Sequence, residues 1–403
     1  MTGLPLRPGT PADWPGVSRL MQLVFHEGTN PEADALEQSV FEPERSLVAE
    51  DDGGVVAHAG AYTRTLSVPG ATVPAAHVTL VGVAPTHRRQ RLLTRMMHRQ
   101  LRKVPEPVAV LWASEGRIYP RFGYGLATRR LGLSVDAREV RLPAPVEPGQ
   151  VRMVPPAGAG PVLREVYESV RAGRPGWSDR DDRWWAKILA DPPGSRRGAT
   201  EKRLVLHEGT GGVDGYAMWR VKHDWSPGGP EGEVLVREVV AASPDAYLAL
   251  WRFLLGIDLT RSAKLWLGSP DEPLLHLADE PRRLGATLGD GLFIRIVDLP
   301  AALSARRYAA PVDTVLEVTD PLREGNAGRW RLAGDGHGAI CTRTDQPADL
   351  ALDIADLGAA YLGGTSLAAL ADAGRVREQR GDAVARASTA FGWHRCPAGL
   401  EVF

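Results

Sequence analysis

The stretch Leu80-Val81-Gly82-Val83-Ala84-Pro85-Thr86-His87-Arg88-Arg89-Gln90-Arg91-Leu92-Leu93 decides how this 403-residue chain is read. Its first part closes a span from Thr65 to His87 that contains no Asp, Glu, Lys or Arg. Pro69, Gly70, Pro74, Gly82 and Pro85 break that span, so it reads as two strands and a turn, not as a membrane-spanning helix. A basic turn follows, and then Leu92, Leu93, Met96, Met97, Leu101 and Val104 recur at helical spacing. Strand, basic turn and helix together place the free amides of a helix N-terminus beside several arginines, an arrangement suited to a pyrophosphate. Taken alone, the same turn reads as a solvated basic loop.

The flanks supply context. Thr10-Pro11-Ala12-Asp13-Trp14 carries a cap, an early proline and an early acid, and predicts a helix to about Phe25. Ser46–Glu50, the turn Asp51-Asp52-Gly53-Gly54 and Val55–Val68 predict an antiparallel hairpin, with Ala75–Val83 as the third strand. Beyond the helix, Val108–Ala113 is a short run of buried-strand type, and Arg130–Val135 is expected to close the sheet. The proline-rich segment 142–149 reads as a linker. A second α/β unit is predicted after it, with helices at 162–172, 181–190 and 244–255 and strands at 203–207, 215–221, 233–240, 263–267 and 291–296. From Asp298 a helix, three short strands and helices near 354–362, 366–373 and 376–391 complete the pattern.

Composition narrows the classes. Lys and Arg total 48 against 49 Asp and Glu, a formal net charge of −1, which argues against a nucleic-acid partner. Cys341 and Cys396 are too few for a disulfide framework and have no metal-ligand spacing, so no metal is expected. The first eight residues lack an apolar signal core, so a cytoplasmic location without membrane attachment is expected. A nucleophile elbow, a P-loop and a dinucleotide fingerprint are all missing.

A hairpin, basic turn, helix and strand after an N-terminal helix is the element order of the GNAT acetyltransferases. More closely, V-G-V-A-P-T-H-R-R at 81–89, A-S-E-G at 113–116 and I-Y-P-R-F-G-Y-G at 118–125 resemble segments of the enhanced intracellular survival (Eis) family. D-W-P-G at 13–16, L-P-A-A-L at 299–303, T-V-L-E-V at 314–318 and Y-L-G-G at 361–364 extend the resemblance along the chain. It implies an α/β (α+β) protein of three modules: a catalytic GNAT domain at 1–145, a degenerate GNAT domain at 146–297 and a sterol-carrier-protein-like domain at 298–403. It also implies acetyl-CoA as co-substrate, a small cationic amine as acceptor, aminoglycosides as its class, and a homohexamer.

The resemblance carries residue roles. Val81, Gly82 and Val83 would pair with the pantetheine arm; Arg88, Arg89, Gln90, Arg91, Leu92, Leu93 and Thr94 would form the pyrophosphate turn; Ser114 and Glu115 would end the opposing strand. Tyr119 matches the general acid and the carboxylate of Phe403 the general base. That division suits the chemistry: an alkylammonium has a pKa of about 10 and must lose a proton before it attacks a thioester, while the departing thiolate needs one. From the residues alone, Tyr119 reads as a packed aromatic beside Phe122 and Tyr124, and His87 as a turn residue. On the substrate side Glu27 keeps the family's acid, whereas Gly28 and Leu80 replace aromatics. Arg91 replaces the glycine that lets the loop backbone approach the phosphates. That departure motivates an alternative: a non-catalytic binding or assembly protein on the same scaffold.

Overall fold

The computed structural model describes residues 4–147 and 149–403 and divides into two compact units. The first comprises the chain up to Thr128, Gly291–His394 and Val402–Phe403; the second comprises Arg129–Asp290 and Arg395–Glu401. Met1–Gly3, part of the segment searched for a signal, and Pro148, in the expected linker, lie outside the described residues.

In the first unit the N-terminal helix runs from Trp14 to Phe25 and buries Trp14, Val17, Leu20 and Met21. Its entry is fixed by Asp13, whose carboxylate accepts from the Thr10 amide at 2.7 Å and from both terminal nitrogens of Arg7. A seven-stranded sheet follows in the spatial order Arg7–Pro8, Leu47–Asp51, Gly54–Val68, Ala71–Val83, Val108–Trp112, Leu292–Ile296, Gly125–Leu126. The long hairpin formed by the third and fourth of these strands dominates it, and helix Leu92–Lys103 packs Met96, Met97 and Leu101 inward. A further helix, Pro31–Val40, was not anticipated; Asn30 caps it by accepting from the Ala33 amide at 3.2 Å.

Two strands change places relative to the expectation. Arg129–Asp136, expected to close the first sheet, pairs with Thr260–Gly268 and Thr287–Asp290 in the second unit. Leu292–Ile296, expected in the central module, inserts between Val108–Trp112 and Gly125–Leu126. The compact units therefore change over at 128/129 and 290/291. The reason is physical: the alternating buried residues Leu131, Leu133 and Val135 define a core face but do not encode which sheet supplies the neighbour.

The C-terminal part of the first unit is a five-stranded sheet, where three strands were expected. Val376–Glu378, read as the start of a helix to 391, is its edge strand, paired with Leu350–Leu352. The helix itself begins only at Ala383, after Asp382 turns the chain with φ +62°. This sheet shares one continuous core with the first: Leu66, Val110 and Ile294 join Leu316, Trp330 and Leu357. Arg295 and Asp320, both inaccessible, pair through two 2.7 Å bonds inside that unit. Arg306 is also fully buried; it donates to the Tyr361 carbonyl and, at 2.8 Å, to the Phe391 carbonyl, and lies over the Phe391 ring.

The second unit has its own seven-stranded sheet, ordered Thr287–Asp290, Arg129–Asp136, Thr260–Gly268, Gly232–Ala241, Gly212–Lys222, Arg203–Gly209, Gln150–Val154. Helix Pro244–Leu255 links the parallel pair Gly232–Ala241 and Thr260–Gly268, a right-sized strand, helix, strand crossover.

Candidate active site

The site grows from a flaw in the long strand Ala71–Val83. Its register against Gly54–Val68 shifts between the pairs Gly60↔Thr79 and His58↔Gly82, which leaves Leu80 and Val81 as a bulge. Leu80 takes a positive φ of +50°, a conformation costly for a branched side chain, and its carbonyl accepts from His58 Nδ1 at 2.7 Å. Burial pushes the His58 imidazole down to about 4, so at neutral pH it is uncharged, with the proton on the nitrogen that faces Leu80. His58 was missed by the sequence reading; a histidine inside an apolar strand opposite a glycine-containing strand end was the available signal.

On its other side the strand pairs with Val108–Trp112 only over Ala75–His77 against Val108–Val110. Beyond that the two parallel strands part, and the backbone from Val78 to Val83 has no strand neighbour on that edge among the described residues. An edge left without a strand neighbour is what an extended amide-bearing chain such as pantetheine would use. Gly82 is closely packed: a Cβ there would lie 2.7 Å from Met21 Cε and 3.0 Å from Val24, so the methionine end would have to shift. The same two contacts put the end of helix Trp14–Phe25 over the bulge. Glu27 is exposed in the turn just past that helix, and Ser114 and Glu115 are exposed beyond Trp112.

At the tip of the strand, Arg88, Arg89, Gln90 and Arg91 are all exposed. Arg89 and Arg91 both adopt left-handed backbone, φ +63° and +59°, and Arg91 is the N-cap of helix Leu92–Lys103. The first intrahelical bond runs from Arg95 N to Arg91 O, so the amides of Leu92, Leu93 and Thr94 are the orphan donors of the first turn. The loop therefore keeps the conformation that glycine would adopt, with an arginine side chain turned to solvent. His87 contacts Asp51 at 3.3 Å and Thr86, which fits a turn residue.

The two expected catalytic groups lie on opposite faces of the parting strand. Ala76 and Val78 belong to the core cluster that contains Tyr119, Tyr124 and Phe122. The alternate residues His77 and Thr79 face Phe403: the rings of His77 and Phe403 are 4.5 Å apart, and Thr79 Oγ1 donates to the Phe403 main-chain oxygen at 3.0 Å. Burial, reinforced by Glu115, pushes the Tyr119 hydroxyl up to about 12, so it is a protonated donor at any physiological pH. His77 and Thr79 were not singled out from the sequence, because nothing local marks them as partners of a residue more than 300 positions away.

Among the described residues, no group of three or more His, Cys, Asp or Glu side chains is placed to hold a metal ion, and no helix is long and apolar enough to cross a membrane.

Known proteins carry the same arrangement. Residues 5–127 match an acetyltransferase (GNAT) domain family, residues 176–296 a second acetyltransferase (GNAT) domain family and residues 299–398 the sterol carrier protein domain family. The chain is 47% identical over 360 residues to an uncharacterized N-acetyltransferase of Streptomyces avermitilis, covering 88% of each. It is 37% identical over 400 residues to the N-acetyltransferase Eis of Mycobacterium tuberculosis, covering 95% of each. Among solved structures, Eis1 of Mycobacterium abscessus superposes with a TM-score of 0.85 at 31% identity, covering 99% of this chain and all of that one. A GCN5-related N-acetyltransferase of Anabaena variabilis, 19% identical and with a TM-score of 0.86, shares the fold. GNAT enzymes take the acetyl group from acetyl-CoA. With this geometry and full-length similarity together, the chain belongs to the Eis family of GNAT N-acetyltransferases.

Proposed function

We propose that the protein acetylates amines of small polycationic molecules, with aminoglycosides as the substrate class, by direct transfer between Tyr119 and the carboxylate of Phe403. The observation that carries this is the placement of Phe403 against Thr79, at the point where the strands part. When bound, acetyl-CoA supplies an activated acetyl thioester. The amides of Val81, Gly82 and Val83 hold its pantetheine arm, and the turn from Arg88 to Thr94 holds the phosphates by charge and by helix-start donors. The Phe403 carboxylate attracts the ammonium and accepts its proton, and Thr79 fixes one of its oxygens. Tyr119, held protonated by burial, returns a proton to the leaving sulfur. Glu27 adds negative charge at the rim, which favours a cationic acceptor even though the chain's net charge is only −1. By the same family likeness the working form is a cytoplasmic homohexamer, which light scattering on the purified protein tests.

The deciding assay follows thiol release with kanamycin-like aminoglycosides and with linear polyamines, after an intact mass has established Phe403 as the last residue. Turnover that falls at least 100-fold in both Tyr119→Phe and a Phe403 deletion supports the assignment. Full activity of either variant overturns that residue's role, and no turnover with any amine overturns the substrate class.

A further inference from the structure

The second unit repeats the parted strands, and something already lies between them. Gly232–Ala241 and Thr260–Gly268 pair in parallel only as far as Val236↔Leu265. Past that point Val239, Ala241, Leu267 and Gly268 line a cleft that is the counterpart of the acyl-donor cleft in the first sheet. Its remaining volume is about 60 Å³, against several hundred for a pocket that takes a cofactor-sized molecule. The other wall is the chain's own tail, through the alternate residues Cys396, Ala398 and Leu400.

The tail is bonded there along its length. The Cys396 amide donates to Asp271 at 3.0 Å, and the Ala398 amide to the Pro175 carbonyl at 3.0 Å. Gly176, at φ +95°, makes that approach possible: a Cβ there would stand 2.6 Å from the Ala398 carbonyl oxygen. At the end of the segment Glu401 accepts from Arg180 Nε at 2.9 Å. Arg180 is buried, doubly bonded to buried Glu238 at 3.1 and 2.8 Å, and lies over the rings of Tyr167 and Trp185. Glu238 also accepts from the Tyr216 hydroxyl at 2.9 Å. Such a desolvated, ring-backed guanidinium, with Nε aimed at one carboxylate and its fork at another, has the form of a carboxylate receptor.

We infer that the cleft of the second fold is a built-in receptor for residues 395–401, with Arg180 as the anchor that reads Glu401, and that this seating takes the place of a second acetyl-CoA. Where Phe403 is the general base, and thus resting on that reading, Glu401 and Arg180 are positioning residues, since only Val402 separates the anchored carboxylate from the terminal residue.

The test uses the full-length protein and its Glu401→Gln variant, which keeps shape and removes charge, with Arg180→Met as a second variant if its thermal transition shows it folded. Release of Phe403 by an A-type carboxypeptidase is followed by mass spectrometry, and acetyl-CoA stoichiometry by calorimetry. The inference expects release at least ten-fold faster in Glu401→Gln, and one acetyl-CoA or fewer per wild-type chain. Equal protection in wild type and variant, or two acetyl-CoA per chain, overturns it. In the steady state, kcat for the amine should fall at least ten-fold in Glu401→Gln while KM for acetyl-CoA stays within two-fold. If the tail loosens but deletion of Phe403 leaves kcat unchanged, the general-base reading fails and the receptor stands. If deletion abolishes turnover while Glu401→Gln keeps both protection and kcat, the receptor fails alone.

Discussion

Replacing Arg91 by glycine separates two views of the acyl-donor loop. Arg91 holds φ +59° and is exposed at the N-cap of helix Leu92–Lys103. A non-glycine residue in that region costs roughly 1–2 kcal/mol. Glycine would remove the strain, but its freer unfolded chain returns roughly 0.5–1 kcal/mol. A positive charge at a helix N-terminus is unfavourable by about 0.3–1 kcal/mol, so its removal adds to the gain. The balance is a stabilisation of about 1 kcal/mol, or roughly 2–4 °C in Tm for a unit of this size, read by differential scanning fluorimetry. Because the backbone already takes the glycine conformation, Arg91→Gly should not tighten acetyl-CoA. Losing one solvent-exposed cation near the phosphates should weaken it by less than about 1 kcal/mol, at most some five-fold in Kd by calorimetry. A ten-fold tighter complex would show that the Arg91 side chain obstructs the site and would refute the reasoning, as would a fall in Tm.

Other outcomes can be checked alongside. The raised Tyr119 hydroxyl favours the folded protein below pH 10, and that contribution is lost as pH rises from about 10 to about 12; Tyr119→Phe should flatten the alkaline limb of a urea-denaturation series across that window. Phe403 is only partly buried, so its deletion should cost no more than about 2 kcal/mol while abolishing most turnover, and a Tm collapse would point to a structural role instead. Arg306→Met strips the donors from the buried carbonyls of Tyr361 and Phe391 and should destabilise the first unit by about 3 kcal/mol or more, measured by urea unfolding. Gly125→Ala should prevent folding, because its Cβ would fall 1.8 Å from the Ala355 carbonyl oxygen; a soluble variant with wild-type Tm would show that helix Ile354–Ala360 can retreat.

Arg91 also shows why a motif and its geometry are separate facts. The sequence departs from the family at that position, and the departure alone reads as a damaged loop. The φ value shows instead that the loop keeps its left-handed conformation with arginine in that place, at the start of a helix anchored by buried Leu92, Met96 and Met97. The helix and strand pattern from Thr10 to Val104 was legible because its apolar spacing is strong and local. The helix Pro31–Val40 was not, since its moment is weak and only Val40 is buried.

By itself the sequence determined most element types of the first 140 residues and the basic turn, and its short motifs carried the family resemblance that singled out Tyr119 and Phe403. Those depend on side-chain periodicity, turn chemistry and short motifs, all of which act within a few residues. Only the tertiary structure decided which sheet receives Arg129–Asp136 and which receives Leu292–Ile296, because a strand's alternation names a face and not a neighbour. It alone brought Thr79 and His77 to Phe403, His58 to the bulge at Leu80, and Arg180 to Glu401. Each of those is a contact between segments distant along the chain or across a register shift, set by how whole sheets pack, and no local pattern in the sequence records it.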